Sequence, residues 1–248
     1  MKHLRFRVRK EFIRGQEAVI EDRSEIRHIS RVLRLGTGDR VTLFDGEGKE
    51  YPACIKRLSP DRVSFALIEE PTSTTKESSF RIILGAALLK SPRFEWLLQK
   101  TTELGVSEIV PFYSGRVVPR WEENQTRTRQ PRWEKIISEA ARQCGRAKIP
   151  KIHEPRSFEE TLAAEFDGAT KIFLWEREET KSLRDALEKS SPAVFAVVGP
   201  EGGFSAQEAV RAQEEGFRPV RLGPRILRAE TAGIVIVSLL QFLLGDLR

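Results

Sequence analysis

The sequence predicts an α/β protein: a larger α/β part built on a parallel sheet, preceded by a smaller β-rich part. Three observations carry this. From Arg81 onward, near-continuous apolar runs alternate with helical patterns, the signature of a parallel sheet covered on both faces. Ahead of them, short apolar or alternating runs are punctuated by Gly and Asp turns, as in a small barrel. Between the two, residues 71–79 (PTSTTKESS) hold no large apolar side chain and read as a linker. The expected domains are therefore residues 1–70, a linker over 71–79, and residues 80–248.

In chain order, LRFRVRKEF, DRVTLFDG, EYPACIKRL and DRVSFALIEE are the strands of the first part, with turns at Gly36, Gly38, Asp45-Gly46 and Pro60-Asp61. A helical stretch over 25–33 interrupts them. In the second part the strands are RIILGAAL (81–88), VSEIVPF (106–112), TKIFLWE (170–176), AVFAVVG (193–199) and PVRLG (219–223). Ser91 as N-cap with Pro92 at the first helical position opens one helix, and Gly105 closes it. Ser157 with Glu160, and Ser205 with Glu208, have capping-box spacing. Arg132, Ile136, Ile137, Ala140 and Ala141 mark an amphipathic helix whose polar face carries Arg142 and Arg146. The last helix, AETAGIVIVSLLQFLLG, is apolar almost all round and must be buried on every side, which a subunit interface would achieve; a homodimer is expected.

Composition removes several classes of function. The chain has 248 residues, 40% of them apolar and 31% charged, an ordinary globular mix. Its two cysteines, Cys54 and Cys144, form no CxxC, so neither a disulfide scaffold nor a cysteine-ligated zinc site is expected. His3, His28 and His153 have no metal-ligand spacing, and no metal is expected. The start lacks the apolar core of a secretory signal, and the most apolar stretch, 232–245, falls short of the ~20 residues that span a bilayer. A cytoplasmic protein without a membrane partner is expected. The net charge is +6, and its distribution is uneven: residues 1–15 carry six Lys/Arg against Glu11, and residues 115–156 carry eleven against five Glu. Clustered cations attract phosphate backbones, so RNA or DNA is the expected partner. Trp121 and Trp133 lie among those arginines, where core packing is preferred over stacking on bases.

Ligands in open α/β sheets bind beyond the carboxyl ends of the strands. Three such ends are chemically loaded: Trp175-Glu176, the run GPEGGFS (199–205), and the run GPRILRAET (223–231). Three glycines in five residues let backbone approach a ligand, and the helix that follows offers free N–H groups. Neither loop has the GxxxxGK[ST] or GxGxxG pattern. Read alone, each is also compatible with a tight structural turn. A non-catalytic RNA-binding protein and an enzyme using another phosphorylated cofactor both stay open at this point.

Taken together, VVGPEGGFSAQE and RLGPRILRAETA resemble the SPOUT-superfamily RNA methyltransferases, and within them the RsmE family. The likeness continues in KSPRFEWLLQKTTELGVSEIVPF (90–112), RWEKIISEAARQCGRAKIPKI (132–152) and HISRVLRLGTGDRVTLFDGEGKEY (28–51), and so covers essentially the whole chain. Ala229 and Cys144 depart from the family's commoner threonine and serine. The resemblance implies an N-terminal PUA-like β-barrel and a C-terminal SPOUT α/β domain whose chain forms a trefoil knot, acting as a homodimer through the C-terminal helix and knot region. It implies S-adenosylmethionine as cofactor, held by Leu174, Gly199, Gly202, Leu222, Gly223, Ile226 and Leu227. The implied reaction is methylation of uridine N3 in small-subunit (16S) ribosomal RNA, as free RNA or within the small ribosomal subunit; transfer to a ribose 2′-oxygen, as in other SPOUT families, is the alternative. Arg228 is expected to stabilise the uracil anion, since arginine stays protonated, with the proton lost to Glu230 or water and Glu201 as the other carboxylate able to accept it. Arg5, Arg7, Arg9, Arg142 and Arg146 are expected to hold RNA phosphates.

Overall fold

The computed structural model describes residues 4–73, 77–115, 123–178, 181–187 and 191–247. The chain folds into two compact units, Met1–Glu77 with Ala141–Ile149, and Ser78–Ala140 with Pro150–Arg248. His3 and Trp121 lie outside the described residues.

The first unit is built on β1 (Arg5–Arg7), β2 (Ile13–Arg14), β3 (Glu17–Ile20), β4 (Arg40–Phe44), β5 (Lys49–Leu58), β6 (Val63–Leu67) and β7 (Thr72–Ser73), with helix α1 (Arg23–Arg27) after β3. The sheet runs β1-β4-β5-β6-β3-β2, antiparallel except for the β1–β4 pair. Alternate positions of β5, Tyr51, Ala53 and Ile55, face a core with Phe6, Ile29, Leu43 and Phe65, the period of a half-buried strand. The sheet curls into a half-barrel, in keeping with the small PUA-like barrel expected, and among the described residues β1 and β2 at its two ends are not paired to each other. Edge strands of three and two residues offer little pairing surface, which keeps the open edges harmless. The polar segment after the half-barrel is not wholly a linker, since its Thr72–Ser73 pairs with β5. Helix α1 is capped by Asp22, whose carboxylate accepts the amides of Ser24 and Glu25 at 2.9 Å each, and it continues into a π turn over His28–Val32.

The second unit is an all-parallel sheet of β8 (Arg81–Ala87), β9 (Glu108–Tyr113), β10 (Lys151–Ile152), β11 (Arg156–Ser157), β12 (Ala169–Leu174), β13 (Ala193–Val198) and β14 (Arg218–Val220). Its order is β10-β9-β8-β13-β12-β14, with β11 also on β9. The helices are α2 (Ser91–Glu103), α3 (Glu123–Cys144), α4 (Phe158–Leu162), α5 (Leu183–Ala186), α6 (Ala206–Glu214) and α7 (Ala229–Leu244). Every residue of β13 is buried, as a continuously apolar parallel strand requires. Both capping boxes form. Helix α2 differs in detail: Lys90 is its N-cap and Ser91 lies inside, its hydroxyl donating to Glu95 Oε1 at 2.8 Å. Trp133 is buried edge-to-face on Phe94, a core residue, as preferred.

Helix α7 buries Ala229, Gly233, Ile236, Val237, Leu240 and Gln241, a single stripe at helical spacing. A β-carbon on Gly233 would come within 2.5 Å of Leu97 Cδ1, so the glycine lets α7 close onto α2. Burial on every side is not seen within one chain: Phe242 is 61% exposed.

Candidate functional site

Strands β12, β13 and β14 are neighbours pointing the same way, so their carboxyl ends gather three loops at one edge. The loops enclose a cleft of about 300 Å³. Leu174, Val198 and Val220, at the strand ends, are among its lining, and the Trp175 amide donates to the Val220 carbonyl at 3.0 Å, tying the first loop to the end of β14.

The glycine loop after β13 is pinned from below. Phe204 is fully buried, 4.3 Å from the Phe173 ring and 5.3 Å from Phe158, so apolar burial holds the backbone that faces the cleft. Ser205 and Glu208 then start α6 with reciprocal bonds of 3.1 and 2.7 Å. Gly203 has φ +63°, the left-handed region, and a β-carbon there would lie 2.8 Å from Glu176 Oε1. The third loop is braced by Arg221, which donates to the Pro224 carbonyl at 2.9 Å, and it ends at Arg228, the N-cap of α7.

Of the residues expected to hold cofactor, Leu174, Gly199, Gly202, Leu222, Ile226 and Leu227 line this cleft; Gly223 lies in the same loop, in the left-handed region, but off the lining. Among the three catalytic candidates, Glu201 lines it. Arg228 and Glu230 do not, although Leu227 and Ala229 beside them do. Arg228 is exposed. Sequence reasoning passed over Arg93 of α2, which ties two of the candidates together: it donates to Glu201 Oε1 at 3.2 Å and lies 3.7 Å from Glu230 Oε1. No local pattern signals a pairing across 108 positions of chain. The Glu230 side chain is 12% exposed, and its Oε2 is buried without a hydrogen-bond partner among the described residues. The indole N–H of Trp175, on the cleft wall, is likewise buried and unpartnered. Among the described residues no group of three His, Cys, Asp or Glu could hold a metal, and no helix is long and apolar enough to cross a membrane.

The expected phosphate-binding arginines part company. Arg5 is buried, with its guanidinium 2.8 Å from Glu50 and donating to the Arg146 carbonyl at 3.1 Å. Arg146 is buried on Glu77, donating from Nη2 at 3.0 Å and from Nε at 3.2 Å to the same oxygen. Arg142 lies 3.6 Å from Glu25. Cations already enclosed with carboxylates are internal ties of the first unit, and their burial counts against a phosphate role for Arg5 and Arg146. Arg7 and Arg9 are exposed.

Comparison with known proteins agrees in both halves. A family model described as an RNA methyltransferase domain matches residues 76–241, and one described as an RNA methyltransferase PUA domain matches residues 20–68. The ribosomal RNA small subunit methyltransferase E of Bacillus subtilis is 31% identical over 224 residues, 88% of this chain and 87% of that one. Among solved structures, a ribosomal RNA small subunit methyltransferase E from Neisseria gonorrhoeae bound to S-adenosylmethionine matches with a TM-score of 0.90 and 33% identity, over 99% of this chain and 100% of that one. A putative methyltransferase from Legionella pneumophila, also bound to S-adenosylmethionine, matches with a TM-score of 0.91 and 33% identity over the full length of both chains. A three-loop cleft at the carboxyl edge of a parallel sheet, a PUA match ahead of it and full-length similarity together place this chain in the ribosomal RNA small subunit methyltransferase E (RsmE) family of RNA methyltransferases.

Proposed function

We propose that the protein transfers a methyl group from S-adenosylmethionine to N3 of a uridine in small-subunit (16S) ribosomal RNA. The observation that carries this reading is the cleft over β12, β13 and β14, lined by the glycine loop, apolar side chains and the charged Glu176, Glu201, Arg221 and Arg225, in a chain similar over its full length to proteins solved with that cofactor. The residues present fit the cofactor. The cleft has the size of a small-molecule pocket, the Trp175 N–H stands buried without an acceptor, and the glycine loop brings backbone close where a β-carbon would not fit. Leu174, Gly199, Leu222, Gly223 and Leu227 would hold the adenine through backbone groups, Ile226 would cover it, and Gly202 would admit the sulfonium end. When bound, the cofactor supplies an activated methyl group.

The chain's own task is to manage a proton and a charge. Uridine N3 is protonated and a poor nucleophile until that proton leaves. Glu201 and Glu230 share one guanidinium, that of Arg93, so the trio keeps one net negative charge and one carboxylate is available as proton acceptor. Arg228, at the head of α7, would stabilise the uracil anion. A second copy of the chain against α7 would cover Phe242 and the half-exposed Trp96 of the adjacent α2; on this reading the enzyme is a homodimer, with the SPOUT knot in the loops after β13 and β14. Its RNA substrate sets the cytoplasm as its compartment.

Replacing Arg228 by Ala is the direct test. Calorimetry should show near-normal S-adenosylmethionine binding, while turnover falls by about 10²–10³. Wild-type turnover by that variant would end the assignment. Mass spectrometry of 16S nucleosides from a deletion strain should show loss of 3-methyluridine; loss of a 2′-O-methyl nucleoside instead would move the target to the ribose.

A further inference from the structure

The first unit has a second concavity, a groove of about 600 Å³ floored by Ile26 and Leu58. Arg23, Arg27 and Arg31 line it at intervals of four along α1 and the π turn that follows. All three are exposed, and none makes an ion pair or a side-chain hydrogen bond among the described residues. Other cations of the same unit, Arg5, Lys10, Lys56, Arg142 and Arg146, each have a carboxylate partner.

Negative charge near the groove is already engaged. Asp61 shares the lining; its carboxylate accepts from the Ser59 hydroxyl at 2.8 Å and also feels the charges of Arg23 and Arg62, which leaves Arg27 and Arg31 unbalanced. Asp22 is spent on the amides at the head of α1, and Glu25 faces Arg142. Three guanidiniums against Asp61 leave the groove net positive. Ser30 adds a hydroxyl to the lining, donating to the Ile26 carbonyl and retaining acceptor capacity, while the single hydroxyl proton of Ser59 serves Asp61.

The backbone departs from the ordinary at the same place. A π turn carries Arg31, a distortion frequent at functional sites. Arg34, just beyond it, has φ +55°, and among the described residues no other non-glycine side chain occupies the left-handed region. The amide of Leu35 donates to the Ile29 carbonyl at 3.0 Å, closing the helix end in the manner that usually selects glycine. An arginine at that position accepts strain.

We infer that this groove is the phosphate-backbone grip of the first unit, with Arg23, Arg27 and Arg31 holding a strand of the RNA substrate; the inference rests on the RNA methyltransferase reading above. Arginine suits the task, because its fork donates to two phosphate oxygens and it is never neutral.

The test is binding of a 16S RNA fragment, followed by fluorescence anisotropy across salt concentrations, with the full-length triple variant R23Q/R27Q/R31Q. Affinity should fall at least about tenfold at low salt. The slope of log affinity against log salt should flatten by about two to three. Calorimetric binding of S-adenosylmethionine should stay as in the wild type, and amide-hydrogen protection across β1, β4 and β5 should stay as well, which shows that the first unit of the variant is folded. The matched triple lysine variant should recover most of the slope, since it restores the charges. Unchanged affinity and slope in the glutamine variant, with wild-type binding intact, would overturn the groove and leave the methyltransferase reading standing. No recovery with lysine would remove phosphate as the ligand. Absence of RNA binding by the wild type would overturn both readings at once.

Discussion

Gly203 and Gly15 share a backbone conformation, φ +63° and +56°, but not an environment. A β-carbon on Gly15 would meet nothing within 4 Å, whereas on Gly203 it would press on the Glu176 carboxylate at 2.8 Å, inside the cleft. Substitution by Ala at either position carries the left-handed penalty, about 1 kcal/mol. Only at Gly203 must the loop or Glu176 also move. Gly203→Ala should therefore weaken S-adenosylmethionine binding about tenfold by calorimetry, and Gly15→Ala should leave it unchanged; equal effects would mean that strain alone, not the close approach, matters at Gly203. The glycine loop could be found in the sequence because glycine density is a local signal. Arg93 could not, because its pairing with Glu201 and Glu230 depends on the sheet having formed. The same limit explains Arg5 and Arg146: a basic cluster in sequence does not show which of its members fold inward onto Glu50 and Glu77.

Among elements, the parallel strands were the most readable, because strands buried on both faces are apolar along their whole length, as β13 is. Capping boxes were readable for a similar reason, being complete within four residues. Closure of the first sheet was not: whether a small barrel shuts depends on its edge strands, and β1 and β2 are too short for their pattern to say. Nor could the apolarity of α7 distinguish a helix enclosed by its own chain from one with an outer face left for a second copy. The start of β9 shows how one side chain conditions an element. Glu108 accepts from His153 at 2.8 Å and from Arg81 at 2.9 Å. The His153 hydrogen bond, aided by Arg81, holds its carboxyl at about 2, against an ordinary 4.5. The folded-state value lies below the unfolded one, so this stabilisation is complete above about pH 4.5 and is lost as pH falls towards 2. At pH 7, Glu108→Gln should unfold more easily than the wild type by about 1.5–3 kcal/mol, the worth of hydrogen bonds to a charged group. In urea titrations carried down through acid, that gap should narrow steadily below pH 4.5. A gap that holds constant into acid would mean the carboxylate is not what joins β9 to its neighbours.

At the scale of the whole molecule, the chain leaves the first unit at Glu77, returns to it at Ala141 and departs again after Ile149, so that unit is assembled from two stretches far apart in sequence. Their junction is polar. Arg146 from the second stretch is held by Glu77 at the end of the first, the amide of Lys148 donates to the other Glu77 oxygen at 3.0 Å, and Arg5 of β1 donates to the Arg146 carbonyl. The Arg146 side chain is 8% exposed and that of Glu77 is 13% exposed, so removing the arginine would strand a carboxylate with little water to replace it. Losing one partner of such a pair costs about 3–5 kcal/mol, far beyond a surface ion pair. Arg146→Met should therefore destabilise the first unit to denaturant by several kcal/mol. S-adenosylmethionine binding should persist, because its cleft is formed entirely by the second unit. Exchange of amide hydrogens, followed residue by residue, separates the two: protection should collapse across β1, β4 and β5 while β8 and β13 keep theirs. If instead protection stays uniform and only RNA affinity drops, Arg146 is a phosphate ligand after all, and the two stretches are held together by their apolar contacts alone.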